Sequence, residues 1–81
     1  MVDVRRLVVF LAEFTEKHGY PPAMREIKKG LGLSSLSLVS YWVNRAKGEG
    51  LLTNSEGKAR TVVLTEKGKA LGVEVANANQ S

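Results

Sequence analysis

The sequence predicts a small, mostly α-helical α+β domain with one β-hairpin and a short last helix. The chain has 81 residues, and a chain of that size can hold one modest core, since it buries only roughly 60% of its unfolded surface. Apolar residues recur at helical spacing as far as Gly50, and short β-branched and apolar runs follow. We therefore expect a single domain over residues 1–75 and a flexible tail over residues 76–81.

The composition argues against several protein classes. There is no cysteine, which excludes a disulfide scaffold and a zinc knuckle. The longest nearly uncharged apolar run, Leu7 to Ala12, is about a third of the roughly 20 residues that a membrane span needs. The chain has one His, one Asp and no Gly-rich phosphate loop. These residues do not supply the acid, base or nucleophile groups that an active site brings together. We expect a soluble cytoplasmic protein without membrane contact, catalysis, cofactor, metal or small-molecule ligand.

The charge is concentrated in the middle of the chain. The net charge is +4, and residues 25–50 carry five basic and two acidic side chains. A basic surface favours a polyanion such as DNA or RNA, because displacing counterions from phosphates gains free energy. Charge alone leaves an ordinary soluble domain as the alternative.

Capping residues place the first two helices. A helix is predicted from about residue 4 to 18, with Asp3 accepting its first N–H groups and Gly19 ending it. Pro21-Pro22 then sets an extended entry into a short second helix that Gly32 closes.

The third helix is the most informative element. Ser35 is its predicted N-cap, and it runs to about Lys47. A helical wheel predicts a buried stripe of Leu36, Val39, Trp42, Val43 and Ala46. The opposite side holds Ser37, Tyr41, Asn44 and Gly48, flanked by Leu38, Arg45, Ser40 and Lys47. This outward face has no acidic residue before Glu49, which suits a surface that approaches phosphates.

A β-hairpin and a last helix complete the predicted elements. The strands are predicted at 51–54 and 60–65, on either side of a polar stretch that contains glycine. Thr65 then caps a helix from Glu66 to about Val75, weakened by two glycines. Its predicted apolar side consists of Ala70, Leu71 and Val75.

Helix, helix, turn, helix and hairpin is the order of a winged helix-turn-helix domain. In that fold the second helix of the pair lies in the major groove and the hairpin, or wing, reaches the neighbouring backbone. The motifs also resemble the DNA-binding domain of LexA-type repressors, with the pattern G-x-P-P-x-x-x-E-I, then L-G-hydrophobic-x-S, then G-hydrophobic-hydrophobic. The residues that carry it are Gly19-Tyr20-Pro21-Pro22, Arg25-Glu26-Ile27, Leu31-Gly32-Leu33-Ser34-Ser35 and Gly50-Leu51-Leu52. The match runs without gaps from Gly19 to Leu52 and implies a winged-helix fold and DNA binding.

The departures from the family limit what the resemblance implies. LexA-type repressors continue into a self-cleaving peptidase domain, for which this chain has neither the length nor a candidate cleavage segment, so autoproteolysis is not expected. Ala23 and Met24 stand where the family usually has a capping Thr or Ser. The outward residues of the third helix also differ from those that some family members use, so the family's operator sequence is not expected for this chain. The segment 63–71 is instead similar to the end of the wing in MarR- and PadR-like regulators.

Two sets of candidate DNA contacts follow. Predicted base contacts are Ser35, Ser37, Leu38 and Tyr41, because hydroxyls can hydrogen-bond base edges and Leu38 can meet a thymine methyl. Predicted phosphate contacts are Arg25, Lys28, Asn44, Arg45, Lys58 and Arg60. The alternatives are a solvated helix face, an ordinary charged surface and, for Ser35, a purely capping role. Trp42 is expected in the core.

The sequence thus predicts sequence-specific binding of double-stranded DNA by a repressor-like transcriptional regulator. A module of this size contacts one half-site, so a homodimer on a palindromic site is one expectation. The alternative is a winged-helix module that binds protein or belongs to a larger nucleoprotein assembly. RNA binding is a third option, without an RNP-like aromatic strand to support it.

Overall fold

The computed structural model describes residues 3–54 and 62–79, and it confirms the predicted fold class of four helices and a two-stranded hairpin. Within these ranges no helix is long and apolar enough to cross a membrane. The elements in chain order are α1 (Val4–His18), α2 (Met24–Leu31), α3 (Leu36–Gly48), β1 (Leu52–Asn54), β2 (Val62–Leu64) and α4 (Glu66–Asn79).

Helix α1 is the centre of the core, and its predicted bounds are confirmed. Asp3 Oδ1 accepts a hydrogen bond from the backbone N–H of Arg6 at 3.0 Å, and Gly19 ends the helix with φ of 80°. One face packs against α2, α3, β2 and α4. Its buried residues are Val4, Leu7, Val8 and Leu11.

Helix α2 begins without a side-chain acceptor at its first cap position. Ala23 cannot accept a hydrogen bond through its methyl group, and the carboxylate of Glu26 instead reaches back to the backbone N–H of Ala23 at 2.9 Å. This is one half of the reciprocal capping arrangement common at helix starts. Ile27 and Leu31 are buried, and Gly32 ends the helix in the left-handed region at φ 67°. Only the half of the arrangement that Glu26 supplies is therefore present, because no side chain at position 23 accepts from the first turn.

Helix α3 confirms the predicted cap and most of the predicted buried stripe. Ser35 Oγ accepts from the backbone N–H of Leu38 at 3.3 Å, and Val39, Val43 and Ala46 are buried. The prediction is wrong for Leu36, which is 45% exposed. Leu36 is the first residue of the helix, so it lies at the edge of the core, beside the turn from α2.

Trp42 is intermediate between core and surface. It is half-buried and packs against the buried core. Its other edge remains accessible on the flank of α3, where it lines a cavity with Arg45 and Leu71.

The hairpin pairs antiparallel strands that are shorter than predicted. Leu52 lies opposite Leu64 and Asn54 opposite Val62, while the predicted strand residues 60 and 61 lie outside the described residues. Leu52 and Val62 are buried, which attaches the base of the hairpin to the helical core.

The junction between β2 and α4 is fixed by one side chain. Thr65 Oγ1 donates to the carbonyl oxygen of Gly50 at 2.6 Å and accepts from the backbone N–H of Gly68 at 3.1 Å. Its own backbone N–H donates to the carbonyl oxygen of Leu51 at 3.0 Å. The predicted capping role of Thr65 is therefore confirmed, and the same residue closes the hairpin.

Helix α4 continues four residues beyond its predicted end at Val75, to Asn79, and the flexibility of residues 76–81 stays a prediction. Its packed side also differs from the predicted one, because Ala70 is exposed while Gly68 and Gly72 are buried. A Cβ at Gly72 would lie 3.6 Å from Val8 and 3.8 Å from Ala12. Gly68 lies against a different part of the fold, because a Cβ there would come well inside contact distance of the carbonyl oxygen of Leu51.

Candidate nucleic-acid interface

The predicted base-reading residues of α3 share one exposed face. Ser37, Leu38 and Tyr41 are all exposed, with Leu38 at 39% and Tyr41 at 52%. Ser35 precedes them at the N-terminus of the helix, where its hydroxyl caps the backbone. The structure therefore brings the four residues to one end and one side of α3, and their contact with bases remains a prediction.

The exposed face of α3 carries no carboxylate. Glu49, the first acidic residue after the helix begins, follows its C-terminus, and its carbonyl oxygen accepts a hydrogen bond from Lys67 Nζ at 2.8 Å. A phosphate that approaches the first three turns of α3 would meet hydroxyl, amide and guanidinium groups rather than negative charge.

Arg45 is held in place at the edge of this face. Its Nη1 donates to the hydroxyl oxygen of Tyr41 at 3.1 Å, and its guanidinium carbon lies 5.8 Å from the centre of the Trp42 ring. The Tyr41 and Trp42 rings meet edge to face with 5.0 Å between centroids. Such contacts orient a guanidinium without neutralising its charge. Asn44, the other predicted phosphate contact on α3, is exposed.

A cationic cavity lies where α2 meets the start of α3. Arg25, Lys28 and Lys29 line it together with Gly32, Leu33 and Leu36, and its volume is about 540 Å³. None of these lining residues is acidic. Arg25 and Lys28 are predicted contact residues, but the apolar part of the lining was not predicted, because the helical wheel placed Leu36 in the buried stripe.

A second feature missed from the sequence joins α3 to the hairpin. Lys47 Nζ donates to Asn54 Oδ1 at 2.6 Å. The partners lie on different elements, and neither has a pattern around it that marks the pair. Lys58 and Arg60, the predicted wing contacts, lie outside the described residues.

These features define a winged helix-turn-helix domain. The pair α2 and α3 is joined by a short turn, α1 supports both helices, and the antiparallel hairpin follows α3 directly. The third helix presents a face of hydroxyl, aromatic and amide groups with cations on either side.

Comparison with known proteins gives the family. A family model described as the LexA DNA binding domain matches residues 4–61. The LexA repressor of Koribacter versatilis is 41% identical over 66 residues, which cover 80% of this chain and 31% of that protein. The LexA repressor of Oenococcus oeni is 41% identical over 76 residues, or 90% of this chain and 36% of that protein. The LexA repressor of Roseiflexus sp. is 46% identical over 60 residues, which cover 74% of this chain and 28% of that protein. The chain belongs to the LexA DNA-binding domain family.

The match also has limits along the chain. The chain spans about a third of the length of the curated relatives it matches. The family model ends just before β2, so α4 lies outside it. The similarity of segment 63–71 to MarR- and PadR-like regulators stays a prediction.

Proposed function

We propose that this protein binds double-stranded DNA in a sequence-specific manner and acts as a repressor-like regulator of transcription. In this proposal α3 enters the major groove and the hairpin contacts the neighbouring backbone. The observation that carries it is the exposed, carboxylate-free face of α3, with Arg45 on one flank and the Arg25 cavity at its N-terminal end. Membership of a DNA-binding domain family supports the same conclusion.

The N-terminal half of α3 reads the bases. Ser37 and Ser35 offer hydroxyl donors and acceptors, and Leu38 offers an apolar contact to a thymine methyl. Tyr41 accepts a hydrogen bond from Arg45, and its own O–H remains a donor for a base edge or a phosphate.

The phosphate contacts surround that face. Arg25 and Lys28 bind the backbone on the α2 side, and Asn44 and Arg45 bind it further along α3. Lys58 and Arg60 extend the contacts along the wing. These contacts fix the register of the protein on the duplex but carry no sequence information directly.

The binding unit is residues 1–75, acting in the cytoplasm without a catalytic step. One such unit covers a half-site, and two copies on a palindrome with half-sites about one helical turn apart give the affinity that a regulator needs. Val73 of α4 is 60% exposed and is available to a second copy.

The test is selection from a pool of random duplex DNA at two salt concentrations, followed by sequencing of the bound fraction. We expect an enriched motif and an affinity that falls steeply with salt. A Ser37→Ala variant should change the preference at one or two base positions, whereas Thr15→Ala, on the exposed surface of α1, should leave the motif unchanged. Salt-sensitive binding without any motif would refute sequence-specific recognition.

One observation favours a second candidate. Leu38 and Tyr41 are large exposed side chains, and Tyr41 is hydrogen-bonded to Arg45. Tyrosine and arginine are enriched at protein interfaces. If the protein binds no duplex at low salt, this face is a protein-binding surface, and Leu38→Ala and Tyr41→Ala are the variants to test for loss of a partner.

A further inference from the structure

The hydrogen bond between Lys47 and Asn54 spans the junction of the third helix and the wing. Lys47 lies in the last turn of α3 and is half-buried. Asn54 is the last residue of β1 and is exposed. The 2.6 Å bond between Nζ and Oδ1 therefore fixes the Lys47 ammonium group at the start of the wing.

The acceptor is an amide, and this decides what the ammonium group can do. A carboxylate partner would place a negative charge beside the ammonium group. The single salt bridge within residues 3–54 and 62–79 joins other residues, Lys69 and Glu66, which lie 3.8 Å apart. The neutral oxygen of Asn54 orients the ammonium group and leaves its full charge available. An ammonium group has three donors, and among the described residues Lys47 uses one of them.

In the proposed binding mode, the junction between α3 and the wing lies beside the DNA backbone. If α3 lies in the major groove and the wing contacts the adjacent backbone, the strand that borders the groove runs between the two elements. Lys47 and Asn54 connect α3 to β1 at this crossing. The Lys47 ammonium group and the Asn54 amide group then lie together at this crossing, and both kinds of group bind phosphate oxygens well.

We propose that Lys47 is a further phosphate-binding residue, positioned by Asn54, that holds the DNA strand between the third helix and the wing. This inference rests on the proposed DNA binding. Lys47 makes the contact, while Asn54 acts mainly by fixing where the ammonium group points.

The experiment compares four variants on one duplex recovered from the selection described above. Lys47→Gln removes the charge, and Lys47→Arg keeps it. Asn54→Asp is nearly isosteric but gives Lys47 a carboxylate partner. Lys69→Gln is the matched control, because it makes the same substitution at a lysine of α4 that we place in no DNA contact. Affinity is measured by fluorescence anisotropy between 50 and 200 mM salt, and circular dichroism establishes that each variant is folded.

The salt dependence distinguishes a phosphate contact from a structural effect. Each neutralised phosphate contributes about 0.9 to the slope of log K against log salt concentration, so Lys47→Gln should lower the slope by about 0.9 and weaken binding about eightfold at 0.1 M salt. Asn54→Asp should lower the slope by a similar amount. Lys47→Arg and Lys69→Gln should keep the wild-type slope.

Two results overturn the inference while the proposed function stands. In the first, the wild type binds with a steep slope and Lys47→Gln has that same slope. In the second, Asn54→Asp keeps the full slope, which places Lys47 and Asn54 away from the phosphates. Absence of binding by the wild type itself refutes the proposed function, and the inference fails with it. If Lys47→Gln does not fold, the comparison of Lys47→Arg with Asn54→Asp still decides the question.

Discussion

Replacing Gly68 by alanine should destabilise the protein, although alanine is the better helix former. A Cβ at position 68 would meet the carbonyl oxygen of Leu51 well inside contact distance and would lie 3.1 Å from Leu64 Cδ2. The Leu51 oxygen cannot move freely, because it accepts the backbone N–H of Thr65. The start of α4 must therefore shift away from the segment between α3 and β1.

The magnitude follows from three contributions. Overpacking of a close contact costs about 1–3 kcal/mol, and loss of the Thr65 hydrogen bond costs about 1 kcal/mol more. The gain in helix propensity returns up to about 1 kcal/mol. We expect a net loss of about 2 kcal/mol, or a fall in Tm of roughly 8–16 °C for a domain of this size.

Gly72→Ala is the matched control for this prediction. It lies one turn further along the same helix, and its new methyl group would make ordinary contacts with Val8 and Ala12 at 3.6 and 3.8 Å. We expect it to stabilise the protein by about 1 kcal/mol. Urea and thermal unfolding followed by circular dichroism measure both variants. A Gly68→Ala protein as stable as the wild type, or a Gly72→Ala protein less stable, would show that α4 does not pack as described.

Three further predictions concern caps and contacts. Ser35→Ala should cost about 1 kcal/mol of stability in urea unfolding through loss of the α3 cap. Ser35→Asp should keep that stability but weaken DNA binding through its carboxylate, and equal DNA affinity of wild type and Ser35→Asp would place Ser35 away from the duplex. Glu26→Ala should cost about 1 kcal/mol by freeing the Ala23 N–H, and unchanged unfolding would show that this bond contributes nothing. Arg45→Ala should lower the salt slope by about 0.9 on every duplex, and an unchanged slope would remove Arg45 from the phosphate contacts.

The first three helices could be predicted from the sequence because their signals are local. Each boundary is marked by a capping residue that lies within a few residues of the backbone groups it affects, so the residue type alone predicts the boundary. These residues are Asp3, Gly19, Gly32 and Ser35. The extent of α4 could not be predicted in the same way. Glycine lowers helix propensity locally, but at position 68 it permits a close approach to the carbonyl oxygen of Leu51 that only the folded chain reveals.

The candidate site was predictable where residues share one helix. The exposed face of α3 follows from its periodicity, and the structure confirms that Ser37 and Tyr41 lie on it. The helical wheel wrongly predicted that Leu36 is buried. Periodicity shows which side of the helix a residue lies on, but it does not show where along the helix the core ends. It also cannot pair Lys47 with Asn54, since their contact depends on how the first strand leaves the helix.

The closure of the hairpin at Thr65 has a consequence for how such proteins can diversify. The two strands are joined at their base by bonds from Thr65 to Gly50 and Leu51, so this closure does not depend on which residues connect the strands. Lengthening a closed loop is inexpensive, at about 0.6 kcal/mol for each doubling. A change in the number of residues between Asn54 and Val62 should therefore cost little stability, while the helices keep their arrangement.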